Sequence, residues 1–262
     1  MFLMQLLLLV CMAEVGCGLQ VQCPAACICN ATEATCVDSS LTEFPEGRFP
    51  SSLLKLDISR NNITRLDEYT IRKWMIVSLR RLNLSNNVIS IINENSLIAQ
   101  SGLEKLDLSR NKFTNIPLKT FVYPPRLQWL SLSYNGEIQV TEDAPLLESD
   151  SLLVLHLENC NLRKLSAVNL EKVVKLQELY ISHNEIESMS TKTEGPGRSL
   201  MNIRILDVSY NQLQQLPPEV MSLPNLEELY LRNNKLKVLG EMKHPQQCCK
   251  VNFLTETEIR TV

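Results

Sequence analysis

The chain has 262 residues, 44% hydrophobic, 21% charged and 5% aromatic, with a formal net charge of −3. This is ordinary globular composition, without the basic excess of a nucleic-acid or anionic-membrane surface. The first feature along the chain is an apolar run from Phe2 to Met12, too short to span a bilayer, followed by the small residues Gly16 and Gly18. It predicts a secretory signal peptide over 1–18, cut near Gly18. Its basic n-region is reduced to the terminal amine, which leaves an uncleaved signal anchor as the rival reading. No later stretch approaches the ~20 apolar residues of a membrane helix. Lys250 to Val262 is too polar for the hydrophobic tail of a lipid-anchor signal. The expected location is secreted and extracellular.

The next segment, 19–52, is cysteine-rich. Of the 9 cysteines, Cys11 and Cys17 leave with the leader, and Cys23, Cys27, Cys29 and Cys36 cluster ahead of residue 53. Four such cysteines can hold zinc, but an oxidising compartment favours disulfides, for which three connectivities are open.

From 53 to 239 one frame recurs eight times: Leu-x-x-Leu-x-Leu-x-x-Asn-x-Leu, with Ile, Val or Phe in some leucine places. Its clearest copy is Leu103, Leu106, Leu108, Asn111, Phe113. The corner residues are Asn61, Asn87, Asn111, Asn135, Cys160, Asn184, Asn211 and Asn234, spaced 26, 24, 24, 25, 24, 27 and 23 residues apart. A fixed period in this range is the signature of a solenoid. Within each copy Leu-x-Leu alternates as a short strand with one buried face, and the corner amide can satisfy backbone groups at the turn. A single coil cannot bury its leucines, so coils must stack and their strands form a parallel sheet. Three departures stand out: Ile138 arrives one place late in the fourth copy, Thr193 to Gly197 is a turn-rich insertion in the sixth, and Cys160 replaces a corner Asn. A free buried thiol is expected there.

This frame resembles the leucine-rich repeat family in its animal extracellular form, over roughly Leu53 to Leu239. A second apolar segment supports the likeness, as in Phe113, Ile116, Pro117, Phe121 and Leu213, Leu216, Pro217, Val220. The resemblance implies an α/β fold: a curved leucine-rich repeat solenoid of eight repeats with its parallel sheet on the concave face. It also implies an N-terminal disulfide cap pairing Cys23 with Cys29 and Cys27 with Cys36. Such a cap would cover the open end of the sheet and its core. The tail, 240–262, matches no four-cysteine C-terminal cap. Its pair Cys248 and Cys249 has no evident intrachain partner, so a disulfide-linked dimer or partner through either residue and an alternative product both stay open.

The outward strand positions form columns. Those of the first three coils are mixed in charge: Lys55, Arg81 and Lys105 beside Asp57, Asn83 and Asp107. From the fourth coil onward the face gains Trp129, Tyr134, His156, Tyr180, His183, Tyr210 and Tyr230. Rings of this kind anchor interfaces, although strands also favour aromatics in their own right. Sequons at Asn30, Asn62 and Asn83 are candidate glycan acceptors. His156 and His183 lie near Glu158 and Glu178, but no His-Glu-x-x-His spacing, phosphate loop or nucleophile elbow accompanies them. The sequence therefore predicts a binding protein with no catalysis, metal, cofactor or nucleic-acid partner. Its expected partner is a protein ligand from the matrix, a receptor or an immune component. The alternative reading is an ectodomain fragment or soluble decoy isoform of a leucine-rich repeat membrane receptor.

Overall fold

The computed structural model describes residues 23–72, 76–141, 143–190, 200–217, 220, 223–239, 250–252 and 260–261. The expected leader over 1–18, the insertion at 193–197 and the Cys248–Cys249 pair lie outside them. Eight parallel strands of three residues follow the eight copies of the frame: Lys55–Asp57, Arg81–Asn83, Lys105–Asp107, Trp129–Ser131, Val154–His156, Glu178–Tyr180, Ile205–Asp207 and Glu228–Tyr230. We number the coils 1 to 8 in that order. The register never slips: Leu56, Leu82, Leu106, Leu130, Leu155, Leu179, Leu206 and Leu229 stand side by side. All eight are buried. A one-residue slip would turn this whole row to solvent, so burial itself fixes the register. Truncating such a leucine to alanine costs about 2–5 kcal/mol.

The strands end where they do because of the turn that follows. The residue before each corner has left-handed backbone: Arg60, Asn86, Arg110, Tyr134, Asn159, His183, Tyr210 and Asn233, with φ from 53° to 61°. The corner amide then ties neighbouring coils together. Asn111 donates to Leu84 O and Leu108 O and accepts from Ile89 N–H, each at 3.0 Å. Asn87, Asn184 and Asn211 repeat the pattern one coil at a time. These bonds satisfy backbone groups that the turn would otherwise bury unpaired.

Coils 4 and 5 carry the two departures together. The late Ile138 is buried, so the extra residue is absorbed in the turn at Gly136 and Glu137. Cys160 offers only a thiol, which donates to Leu132 O at 3.3 Å. The neighbouring Asn161 also takes left-handed backbone and donates its amide to Gly136 O at 3.0 Å. A Cβ on Gly136 would come within 2.9 Å of that amide nitrogen, so a side chain there would displace the amide from this bond. The amide function thus moves from the corner to the next residue.

Among the described residues the sheet has 11 strands. At its N-terminal end Ile28–Cys29 runs antiparallel to Glu33–Thr35, which then joins coil 1 in parallel. Disulfides Cys23–Cys29 and Cys27–Cys36 hold this hairpin, with Cys36, Phe44 and Phe49 buried beneath it. At the other end Lys250–Asn252 adds a strand parallel to coil 8, within the stretch read from sequence as a tail. Opposite the sheet, the return segments include the short helix Glu68–Arg72, a 3-10 turn at Ala167–Leu170 and three two-stranded pairings. Phe113 and Phe121 are fully buried between sheet and return segments.

Candidate functional site

Alternation sends the first and third residues of every strand out of the core, so register alone brings residues about 24 apart in sequence within reach of each other. On coils 4 to 6 this produces a stack of rings. Trp129 packs on His156 with centroids 5.1 Å apart, and His156 lies nearly parallel to Tyr180 at 4.5 Å. A second stack forms in the turn column, where His183 and Tyr210 face each other at 4.1 Å. Two cations from the previous coil cap rings: Lys105 Nζ is 3.7 Å from the Trp129 centroid, and the Arg110 guanidinium 3.8 Å from that of Tyr134. The seven ring-bearing residues therefore do not form one strip. Trp129, His156 and Tyr180 are one group, His183 and Tyr210 another, Tyr134 sits under Arg110, and Tyr230 stands apart on coil 8.

Carboxylates fix several of these rings. His156 Nδ1 lies 2.9 Å from Glu158 Oε1, and Ser133 donates its hydroxyl to Glu158 Oε2. Burial alone would raise the Glu158 pKa. The bonds from His156 and Ser133, with the imidazole's charge, outweigh it and hold the carboxyl below its usual value. Tyr180 donates its hydroxyl to Glu178 at 3.0 Å, and Tyr230 does the same to Glu228. Both phenols titrate above their usual value, Tyr180 through burial first and then Glu178, Tyr230 through its bond to Glu228 and then burial. A tyrosine held by an adjacent carboxylate presents a ring whose position is set before a partner arrives, which lowers the ordering cost of contact. The columns containing Lys105, Arg110, Glu158, Glu178 and Glu228 were visible in sequence. Their role as caps and tethers was not, because it depends on side-chain direction.

A concavity of this face lies elsewhere. About 580 Å³ opens over the cap and coils 1 to 3, lined by Ile28, Lys55, Asp57, Arg81, Asn83 and Lys105 among others. Asn83, one of the three sequons, stands inside it and donates to Asp57 Oδ2 at 3.0 Å. A glycan on that nitrogen would fill the concavity. Asn30 and Asn62 are exposed, although the Asn30 side-chain oxygen already accepts the N–H groups of Thr32 and Glu33.

Among the described residues no group of three or more His, Cys, Asp and Glu is gathered to hold a metal. Cys160 is free and buried, and burial pushes its thiol up to about 11, so it stays protonated and unreactive near neutral pH. His156 has a hydrogen-bonded carboxylate beside it, and the nearby Ser133 hydroxyl is bonded to that carboxylate rather than to the imidazole. What the face offers is area, rings and fixed charge, the chemistry of recognition.

A capped parallel solenoid with an open ring-bearing sheet defines the class: the chain belongs to the leucine-rich repeat family, in the form with a cysteine-rich N-terminal cap. The family model described as leucine rich repeat matches residues 51–113, 77–136 and 101–162, and that of leucine rich repeats (2 copies) matches 202–241. Among similar proteins, chaoptin of Drosophila melanogaster is 31% identical over 187 residues, covering 71% of this chain and 14% of chaoptin. Podocan-like protein 1 of Mus musculus is 31% identical over 204 residues, covering 76% of this chain and 34% of its own length. The match thus spans a minor share of each of these relatives. The crystal structure of human 5T4 (Wnt-activated inhibitory factor 1, trophoblast glycoprotein) superposes with a TM-score of 0.65, over 85% of this chain and 83% of that one. At 24% identity it speaks to the fold alone.

Proposed function

We propose that this chain is a secreted, extracellular binding protein that performs no reaction and holds a protein ligand on its concave face, through Trp129, Tyr134, His156, Tyr180, His183, Tyr210 and Tyr230. The observation that carries the reading is the pair of ring stacks, at 4.5 Å and 4.1 Å, on an open sheet face. Half-exposed stacked rings on a rigid sheet supply contact area at low conformational cost. The two disulfides of the cap support an oxidising compartment. Asn30 and Asn62 are the glycan acceptors that leave the face open.

The test is capture from the fluid that contains the native protein, comparing the wild type with two variants. His156→Ala/Tyr180→Ala should lose the captured protein, by about tenfold or more in retained amount, as hot-spot truncations do. Tyr69→Ala removes a more exposed ring from the return segments, away from the sheet face, and should retain it. Equal retention by both would overturn the reading. A second reading, a fragment or decoy isoform of a membrane receptor, is favoured by the greater length of the relatives. A transcript that continues past Cys249 into a membrane helix would decide for it.

A further inference from the structure

The open face changes chemical sign along its length, and that change points to the chemistry of the partner. Its first column begins Lys55, Arg81, Lys105, passes through Trp129 and Val154, and ends Glu178, Ile205, Glu228. Two cations of the early coils sit on rings, whereas Lys55 pairs with Glu33. Lys105 and Arg110 each cover the ring of the next coil, one strand spacing or ~4.8 Å away. In coils 6 to 8 two of the sheet-face rings have no such cover. Among the described side chains no cation lies over Tyr180 or Tyr230. Arg204 is committed to Glu227 by two bonds of 2.8 Å, and Arg232 lies over Tyr210 at 5.7 Å. Lys250 holds the register position beside Glu228, at the outer edge of this group.

The residues left uncovered form an ordered arrangement. Asp207 stands in register between Tyr180 and Tyr230, and Ile205 between Glu178 and Glu228. The two tyrosines are two strand spacings apart, ~9.6 Å, which leaves room for one planar group above Asp207. Each ring is tied to the glutamate of its own strand. Asp207 Oδ1 accepts the Ser209 N–H at 2.9 Å, and Oδ2 makes no hydrogen bond among the described residues. Three carboxylates and two ring faces thus surround a place where the rest of the face would put a cation.

Building on the protein-binding reading above, we propose that the concave face of coils 6 to 8 seats an arginine of a basic, extended segment of the partner, its guanidinium above Asp207 between Tyr180 and Tyr230. A guanidinium is planar, carries its charge at all accessible pH, and meets both a carboxylate and a ring face favourably. An acidic segment would be repelled by the three carboxylates. The raised phenol pKa values at Tyr180 and Tyr230, to which Asp207 contributes, report the same negative field.

The probe is the peptide acetyl-Gly-Arg-Gly-Arg-Gly-amide, titrated at low salt while the ring signals of Tyr180 and Tyr230 are followed by nuclear magnetic resonance. Its citrulline counterpart has the same shape without the charge. The arginine peptide should move both ring signals and the citrulline peptide should not. Asp207→Asn should weaken binding about tenfold or more, the loss expected for a charge-assisted contact. The variant should fold, because Asn83 does the same turn-bonding job in coil 2. Asp143→Asn removes an equal charge outside the sheet face and should leave binding unchanged. Equal binding of the two peptides, or equal loss in both variants, would overturn the proposal. If the arginine peptide binds as described and no protein is captured, the protein-binding reading fails and this one stands. Capture of a protein by Asp207→Asn at full strength overturns this proposal alone.

Discussion

At the residue scale the corner positions show how one side chain can carry several backbone bonds. Losing Asn111 strands Leu84 O, Leu108 O and Ile89 N–H in the interior, each at about 1–3 kcal/mol. Asn111→Ala is therefore expected to destabilise by about 3 kcal/mol or more in urea unfolding. Cys160→Ala removes only a weak thiol donor, in a coil where Asn161 already supplies an amide, and should cost about 1.5 kcal/mol or less. Equal losses would show that the corner amides do not link the coils. The corners were legible in sequence because Asn is conspicuous at a fixed period. The transfer of the amide to Asn161 was not, because it follows from one extra residue 25 positions away.

The left-handed residues were equally hidden at this scale. Nothing in a sequence column says that Arg60, Tyr134, His183 and Tyr210 hold positive φ, which favours glycine or asparagine. Coils 2, 5 and 8 do use Asn there, at Asn86, Asn159 and Asn233. The tyrosines and histidine sit at these positions against the local preference of the backbone. Strain of this kind, roughly 1–3 kcal/mol, is tolerated where a side chain serves something other than folding.

At the scale of elements the N-terminal hairpin is the least self-sufficient part of the sheet. Two short strands, Ile28–Cys29 and Glu33–Thr35, cannot stand alone, and the disulfides close them over the end of the leucine row. Replacing Cys27 and Cys36 together by Ser should lower stability by about 2–5 kcal/mol. The loss should appear first as faster hydrogen exchange in the hairpin and coil 1, with coils 4 to 8 unchanged. Uniform loss along the solenoid would contradict an end-cap role.

The strand at Lys250–Asn252 marks the limit of reading by motif. Val251 stands in register with Leu229, so Cys248 and Phe253 fall at the other apolar places of the frame by sequence count. Five places after Val251, where the other coils put Asn or Cys160, the chain has Glu256. Without the corner the frame is unrecognisable in sequence, whereas strand pairing needs only the backbone.

On the scale of the whole molecule, the solenoid divides its labour by length. The cap and coils 1 to 3 are charged and bear a concavity of about 580 Å³, coils 4 to 7 bear the stacked rings, and coils 6 to 8 are acidic around Asp207. The leucine row, the parallel sheet and the ring-rich half were all readable from spacing, because a solenoid converts sequence period directly into neighbourhood. The division of the rings into separate stacks was not readable, since it depends on which side chains lean along the strand and which across it.

The central claim is that the rings of the concave face serve recognition and contribute little to folding. The direct measurement is a pair of readings on one variant, Tyr134→Asn/Tyr210→Asn: its thermal midpoint and its retention of the captured protein. Asn suits the left-handed backbone at both places, and that relief offsets the lost stack of about 0.5–1.5 kcal/mol. The midpoint should stay within about 4 °C of wild type, while retention of the partner falls about tenfold or more. A midpoint lowered by much more than this, or full retention of the partner, would contradict the account.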